Sequence, residues 1–145
     1  MTDGLSDVDH YVGPLLRTML AGACGMIGQP GVGLTHLAEA ERQTRTAQVR
    51  WCQSEMLRTR GALLALTGDW TAAQASFHEA IALAQRQSAK FFELRGALDL
   101  ARLWRDQGKP QQARELLAPV YGWFTEGFDT LDLKEAKALL AGLAS

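Results

Sequence analysis

Apolar residues recur along this chain in a helical rhythm. Ala73, Phe77, Ala80 and Ala84 mark one face at spacings of four, three and four, the interval at which successive helical turns superpose. Upstream, Glu55 to Leu66 is rich in strong helix formers and holds no proline. Thr67-Gly68-Asp69 ends that helix, because glycine takes the left-handed C-terminal conformation cheaply. Asp69 or Thr71 is placed to cap the helix that follows. Val and Ile are few and no stretch alternates apolar with polar residues, so strands are not expected. The pattern predicts helices near 8–27, 32–45, 48–67, 70–87, 89–107, 110–125 and 130–143, with ends good to about two to four residues.

The pattern repeats. Gly28, Gly68 and Gly108 stand 40 residues apart. A small residue follows five positions after each (Gly33, Ala73, Ala113), then a large apolar one (Leu37, Phe77, Leu117), then Ala40, Ala80 and Val120. Before the glycines, Tyr11, Trp51, Phe91 and Leu131 are in register, as are Ala21, Gly61, Ala101 and Ala141. The fourth members fall in the last segment, which therefore reads as the first half of a further unit. Each unit reads as a helical hairpin, and a fixed period of this size is the mark of a stacked-repeat architecture. Gly28-Gln29-Pro30 and Gly108-Lys109-Pro110 both place proline in a first helical turn, where its missing N–H costs nothing. The periodic large residues Tyr11, Trp51 and Phe91 are expected to pack successive hairpins together.

The second unit resembles the tetratricopeptide repeat through Leu57, Gly61, Leu64 and Ala73-x-x-x-Phe77, followed by Ala80. Arg60 stands where the repeat usually has Leu, and no proline closes the unit. The third unit fits more loosely, through Ala97, Leu100, Ala101, Trp104 and Ala113-x-x-x-Leu117. The period exceeds the usual one by six residues, Gln48 to Gln53 and Ser88 to Glu93, which are expected to lengthen each first helix. A further resemblance covers Glu93 to Leu143. The string ELRGALDLARLWRDQGKPQQARELLAPVYGWFTEGFDTLDLKEAKALL is similar to the C-terminal end of large bacterial signalling proteins that join a cyclase-like domain and an AAA-type ATPase domain to a repeat region. Ala21 to Ala84 looks like the repeats before that end. The resemblance implies an all-α, right-handed α-solenoid in one domain spanning 1–145, with repeats at about 8–47, 48–87 and 88–127 and a capping helix at about 130–143. It implies a partner-binding or regulatory role and carries over neither cyclase nor ATPase activity.

Composition narrows the function further. Fifteen basic residues against sixteen acidic ones give a net charge of −1, without the basic footprint of a nucleic-acid binder. Leu15 to Ile27 is apolar but interrupted by Arg17, and it is too short to span a bilayer. Met1 to Asp9 holds three Asp and no Lys or Arg, so it does not read as a secretory leader. Cys24 and Cys52 lack CxxC neighbours, and His10, His36 and His78 are far apart, so no zinc site is expected. The two cysteines read as reduced, buried thiols of a cytoplasmic protein. Gly28-x-x-Gly31-x-Gly33 lacks the following Lys-Ser or Lys-Thr and the preceding strand of a phosphate loop, and reads as a turn. No nucleophile–base arrangement stands out among the histidines. The expectation is a chain without catalytic, cofactor or metal site.

The charged positions of the first helices are the candidate site. By the same resemblance they line the concave surface: Glu55, Arg58, Thr59 and Ala62, then Arg95, Leu98, Asp99, Arg102, Arg105 and Asp106. Arg58, Arg95, Asp99, Arg102 and Arg105 form the expected partner-binding groove, with arginines suited to an acidic protein or peptide. The plainer reading is that Arg95–Asp99 and Arg102–Asp106 are surface i,i+4 pairs. A small-molecule-sensing helical-repeat module is the alternative function. At the ends, Thr130 starts a helix whose Leu133, Ala136, Leu140 and Leu143 cover the third hairpin, while Lys134 and Lys137 face water. The first helix carries Leu15, Leu16, Met19, Leu20, Ala23 and Met26, too many for one buried face, so a two-fold homodimer through the N-terminal hairpin is expected.

Overall fold

The computed structural model describes residues 3–48 and 50–144, with side chains from Val12 onward apart from Ala47. The described residues form seven α-helices and no strand: α1 (Asp3–Met26), α2 (Pro30–Ala47), α3 (Gln53–Leu66), α4 (Trp70–Arg86), α5 (Lys90–Asp106), α6 (Pro110–Gly122) and α7 (Leu131–Leu143). The protein is therefore all-α. The side chains of Tyr11 and His10 lie outside the described residues.

The period of 40 is visible first in the backbone of the turns. Gly28, Gly68 and Gly108 have φ of +82°, +88° and +75°. After each, the next amide reaches back across the helix end: Gln29 N–H to Cys24 O at 2.8 Å, Asp69 to Leu64 at 3.0 Å and Lys109 to Trp104 at 2.8 Å. These six-to-one bonds with a left-handed glycine are Schellman motifs, and they satisfy carbonyls that the helix end would otherwise strand. Asp69 then caps α4, its Oδ1 accepting the Ala72 amide at 3.2 Å. Pro30 and Pro110 open α2 and α6 in the first turn. A second set of turns keeps the same period without glycine: Gln48 (φ 56°) and Ser88 (φ 54°) are left-handed. At the latter, Ala89 N–H bonds Ala84 O at 2.8 Å.

The chain divides into two compact units, Met1–Ala80 and Ile81–Ser145. In the first, α1 and α2 pack as a hairpin across the Gly28 turn, and α3 lies against both. Its core holds Ala21, Leu37, Ala40, Cys52, Met56 and Leu63, with Leu15, Leu34 and Trp51 against it. The helices meet at the small residues of the repeat. A Cβ on Gly33 would sit 2.6 Å from the Ala21 carbonyl oxygen, and one on Gly61 would sit 2.6 Å from the Phe77 ring. Ser54, fully buried, ties α3 to α4 by donating its hydroxyl to Ala80 O at 2.9 Å. In the second unit, α5 and α6 form the equivalent hairpin across Gly108, and α7 lies against both. Leu94, Leu100, Leu117 and Leu133 fill its core.

α1 begins at Asp3 rather than near 8, and the sequence reading departs from the structure at three further places. Residues 50–52 stay outside the helix, and α3 begins only at Gln53, because the left-handed Gln48 turns the chain away first. The extra residues therefore form connection rather than helix before α3. The series Tyr11, Trp51 and Phe91 is not uniformly a packing series: Trp51 joins the core, but Phe91 is 45% exposed, as is the in-register Leu131 at 68%. α6 ends at Gly122, three residues short of 125 and within the expected margin. Pro119 within it withholds one amide donor from the last turns, and Phe124 turns inward to pack its ring, tilted by 56°, against Phe91 at 5.0 Å between centroids. On α7 the fully buried face is Leu133, Ala136 and Leu139, with Leu140 and Leu143 only half-buried; Lys134 and Lys137 are exposed as expected.

Candidate functional site

α5 is two-faced because its sequence is. Leu94, Ala97, Leu98, Leu100 and Ala101 are buried, while Arg95, Asp99 and Arg102 follow one another at spacings of four and three along the opposite side. α7 brings a second row of charge to that side through Asp132 and Glu135. Arg95 Nε lies 3.8 Å from Asp132 Oδ2. Arg102 divides its guanidinium between Asp99 Oδ1 at 3.2 Å and Glu135 Oε2 at 2.8 Å. Arg105 Nε donates to Asp106 Oδ1 at 3.1 Å. Three of the five expected groove residues, Arg95, Asp99 and Arg102, therefore line the side of α5 that meets α7, with Arg105 one turn beyond. At Arg102 the pairing differs from the expected i,i+4 pair with Asp106: Arg102 turns to Asp99 and α7, and Asp106 takes Arg105.

Arg58 belongs to the first unit and sits in a different environment. It forks onto Glu55, with Nε to Oε1 at 3.2 Å and Nη2 to Oε2 at 2.9 Å. Glu55 is buried, and its carboxylate is satisfied by this fork as a buried charge requires. Thr59 and Leu98, both expected to face the groove, are buried and belong to the packing. Sequence reasoning missed the carboxylates of α7. Their spacing of three, on a helix opened by Thr130, was a signal, but nothing local says which neighbour they face.

Two shallow polar clefts occur at the left-handed turns. One, of about 340 Å³, is lined by Thr44, Arg45, Gln48, Arg50 and Gln53. The other, of about 390 Å³, is lined by Gln85, Ser88, Lys90, Glu93 and Trp123. Arg45, Gln48, Arg50 and Gln53 correspond, 40 residues on, to Gln85, Ser88, Lys90 and Glu93, so the cleft is a feature of the repeat. The first cleft is basic. In the second, buried Glu93 accepts from Lys90 Nζ at 2.9 Å and Gln85 Nε2 at 3.3 Å, and Lys90 lies 5.3 Å over the Trp123 ring.

Cys24 and Cys52 are free and buried. Burial pushes the Cys52 thiol above its ordinary range, and the Glu55 charge adds to that rise, which disfavours the nucleophilic thiolate. Among the described residues, no three His, Cys, Asp or Glu side chains are grouped to hold a metal ion, and no helix is long and apolar enough to cross a membrane. Compared with protein-family models, with curated proteins and with solved structures, the chain matches none.

Proposed function

We propose that this chain is a right-handed solenoid of tetratricopeptide type that holds a protein or peptide partner on the charged faces of its first helices, without catalysing a reaction. The observation that carries the reading is the return of one plan: a left-handed glycine turn every 40 residues with a buried small residue five places on, and, in α1–α2 and α5–α6, a hairpin with the following helix laid against both. Repeats of this kind build extended surfaces rather than enclosed reaction sites. The partner's chemistry follows from the arginines. Arg95, Arg102 and Arg105 keep between about a third and a half of their side-chain surface in solvent. Each exposed pair they make is worth under about 1 kcal/mol, so a partner carboxylate displaces the resident one at little cost. The buried thiols fit a reducing, cytoplasmic setting, and the signalling-protein resemblance gives the module a regulatory role.

Capture from a native lysate, compared between the wild type and Arg95→Glu with Arg105→Glu, tests this reading. The variant is expected to lose at least about tenfold in affinity for the captured partner, and added salt should weaken wild-type capture. Capture that survives both changes moves the site elsewhere. A small-molecule sensor is the second reading, favoured by the two in-register clefts. Melting-temperature shifts with a metabolite panel would support it, and their loss in Arg45→Ala with Arg50→Ala would locate the ligand.

A further inference from the structure

α1 is apolar on two sides. Pro14, Thr18, Ala21 and Gly25 face inward and are buried. Leu16, Met19, Leu20, Ala23, Met26 and Ile27 recur at three- and four-residue steps and are exposed, a second stripe on the same helix. The exposure is large: Leu16 59%, Met19 63%, Ile27 71% and Met26 89%. From Leu15 to Ile27 the only charge is Arg17, half-buried on the flank between the two sides. A helix apolar nearly all round is normally covered on every side, and an exposed apolar stripe of this extent marks an interaction surface.

We propose that the outward face of α1 is covered by a second copy of this chain, the two helices packing about a two-fold axis. The area argues for it. At the apolar surface of ordinary aliphatic side chains, the exposed stripe with neighbouring Val32 amounts to about 500 Å² per copy, so a two-fold pair buries about 1,000 Å², the lower bound of a specific interface. The stripe is aliphatic and methionine-rich, a surface that repacks readily against itself, and a two-fold contact leaves no face over. Other occupants fit less well. No described helix can span a membrane, and a helix lying on a lipid surface needs basic residues along its polar edge, where this stretch has Arg17 alone. A second group of exposed apolar residues, Trp123, Phe128 and Leu131, is interspersed with Glu126, Asp129 and Asp132. Packing α1 there, head to tail, would strip water from Glu126, Asp129 and the solvent-exposed Arg95–Asp132 pair while bringing no charge to any of them. The dimer does not rest on the groove reading, since it uses a different helix.

Light scattering on the size-separated chain at micromolar concentration tests the proposal. The expected mass is twice the 15.8 kDa of the chain, and Leu16→Glu with Met19→Glu should return it to one copy with unchanged far-ultraviolet circular dichroism. The milder pair Met19→Ala with Met26→Ala should raise the dissociation constant by at least about tenfold, which keeps the test open if the charged pair disturbs folding. Trp123→Ser should leave the dimer intact. A wild-type mass of one copy overturns the proposal. So does a mass that grows with concentration beyond two copies, the sign of head-to-tail association, or a dimer that both α1 variants leave unchanged.

Discussion

Gly61 is where the hairpin plan is most tightly specified. Its place on α3 faces the Phe77 ring of α4 so closely that a Cβ would stand 2.6 Å from one ring carbon and 2.7 Å from another. The ring is itself 2% exposed and has nowhere to retreat. Gly61→Ala is therefore expected to destabilise by about 1–3 kcal/mol, although alanine is the better helix former by about 1 kcal/mol. Equilibrium urea unfolding checks it, and an unchanged or raised stability would mean that the α3–α4 contact lies elsewhere. Residues of this kind were legible in the sequence. A left-handed turn or a close helix approach leaves few acceptable side chains, so Gly28, Gly68, Gly108 and the small residues five places later show the period openly. Gln48 and Ser88 occupy equally special backbone positions but are ordinary residues. Holding a non-glycine side chain left-handed costs about 1–2 kcal/mol, and nothing in the identity of Gln or Ser announces it. The missed α3 start follows from that silence.

At the scale of the element, α7 is both a cover and an electrostatic partner. Leu133, Ala136 and Leu139 close the α5–α6 hairpin, while Asp132 and Glu135 meet Arg95 and Arg102. The covering role was readable because an amphipathic helix must bury its apolar stripe somewhere. Its exact face was not, since Leu139, Leu140 and Leu143 leave two registers available and packing decides between them. The arginine network has the same history. α5 displays its charges plainly, but the α7 carboxylates that bind Arg102 and Arg95 come from 33 and 37 residues away, beyond the reach of any local rule. The network separates two substitutions that look alike in sequence. Arg102→Glu would set a third carboxylate beside Asp99 and Glu135, and is expected to lower stability by about 1 kcal/mol or more, with salt recovering part of it. Arg105→Glu leaves that pair of acids alone and should change stability by less than about 0.5 kcal/mol. Thermal melts of both variants at low and high salt check the contrast, and equal effects would remove Glu135 from the account.

For the whole molecule, the informative element is α4, because the division between the two compact units falls within it, after Ala80. Its buried face is a single run: Ala73, Phe77 and Ala80 on one side of the division, Ile81 and Ala84 on the other. The run was legible as four residues on one helical face, whereas the division was not, since a repeating pattern carries no mark of where packing is densest. Repeat proteins hold together through nearest-neighbour terms, and their unfolding stays cooperative only while each unit is coupled to the next. A continuous helix is such a coupling, since melting one end removes hydrogen-bonded turns that the other end extends. The wild type is therefore expected to unfold in urea as a single transition. Ala82→Pro should break the coupling. Proline there removes the amide that bonds four residues back and sets its ring against that carbonyl, at a cost of about 3 kcal/mol or more, while Ala82 itself is only half-buried. The variant is expected to show two transitions, followed separately by fluorescence in versions that keep only Trp51 in the first unit or only Trp123 in the second, the other tryptophans being replaced by Phe. One transition displaced as a whole, with both tryptophans reporting the same midpoint, would mean that packing away from α4 carries the coupling.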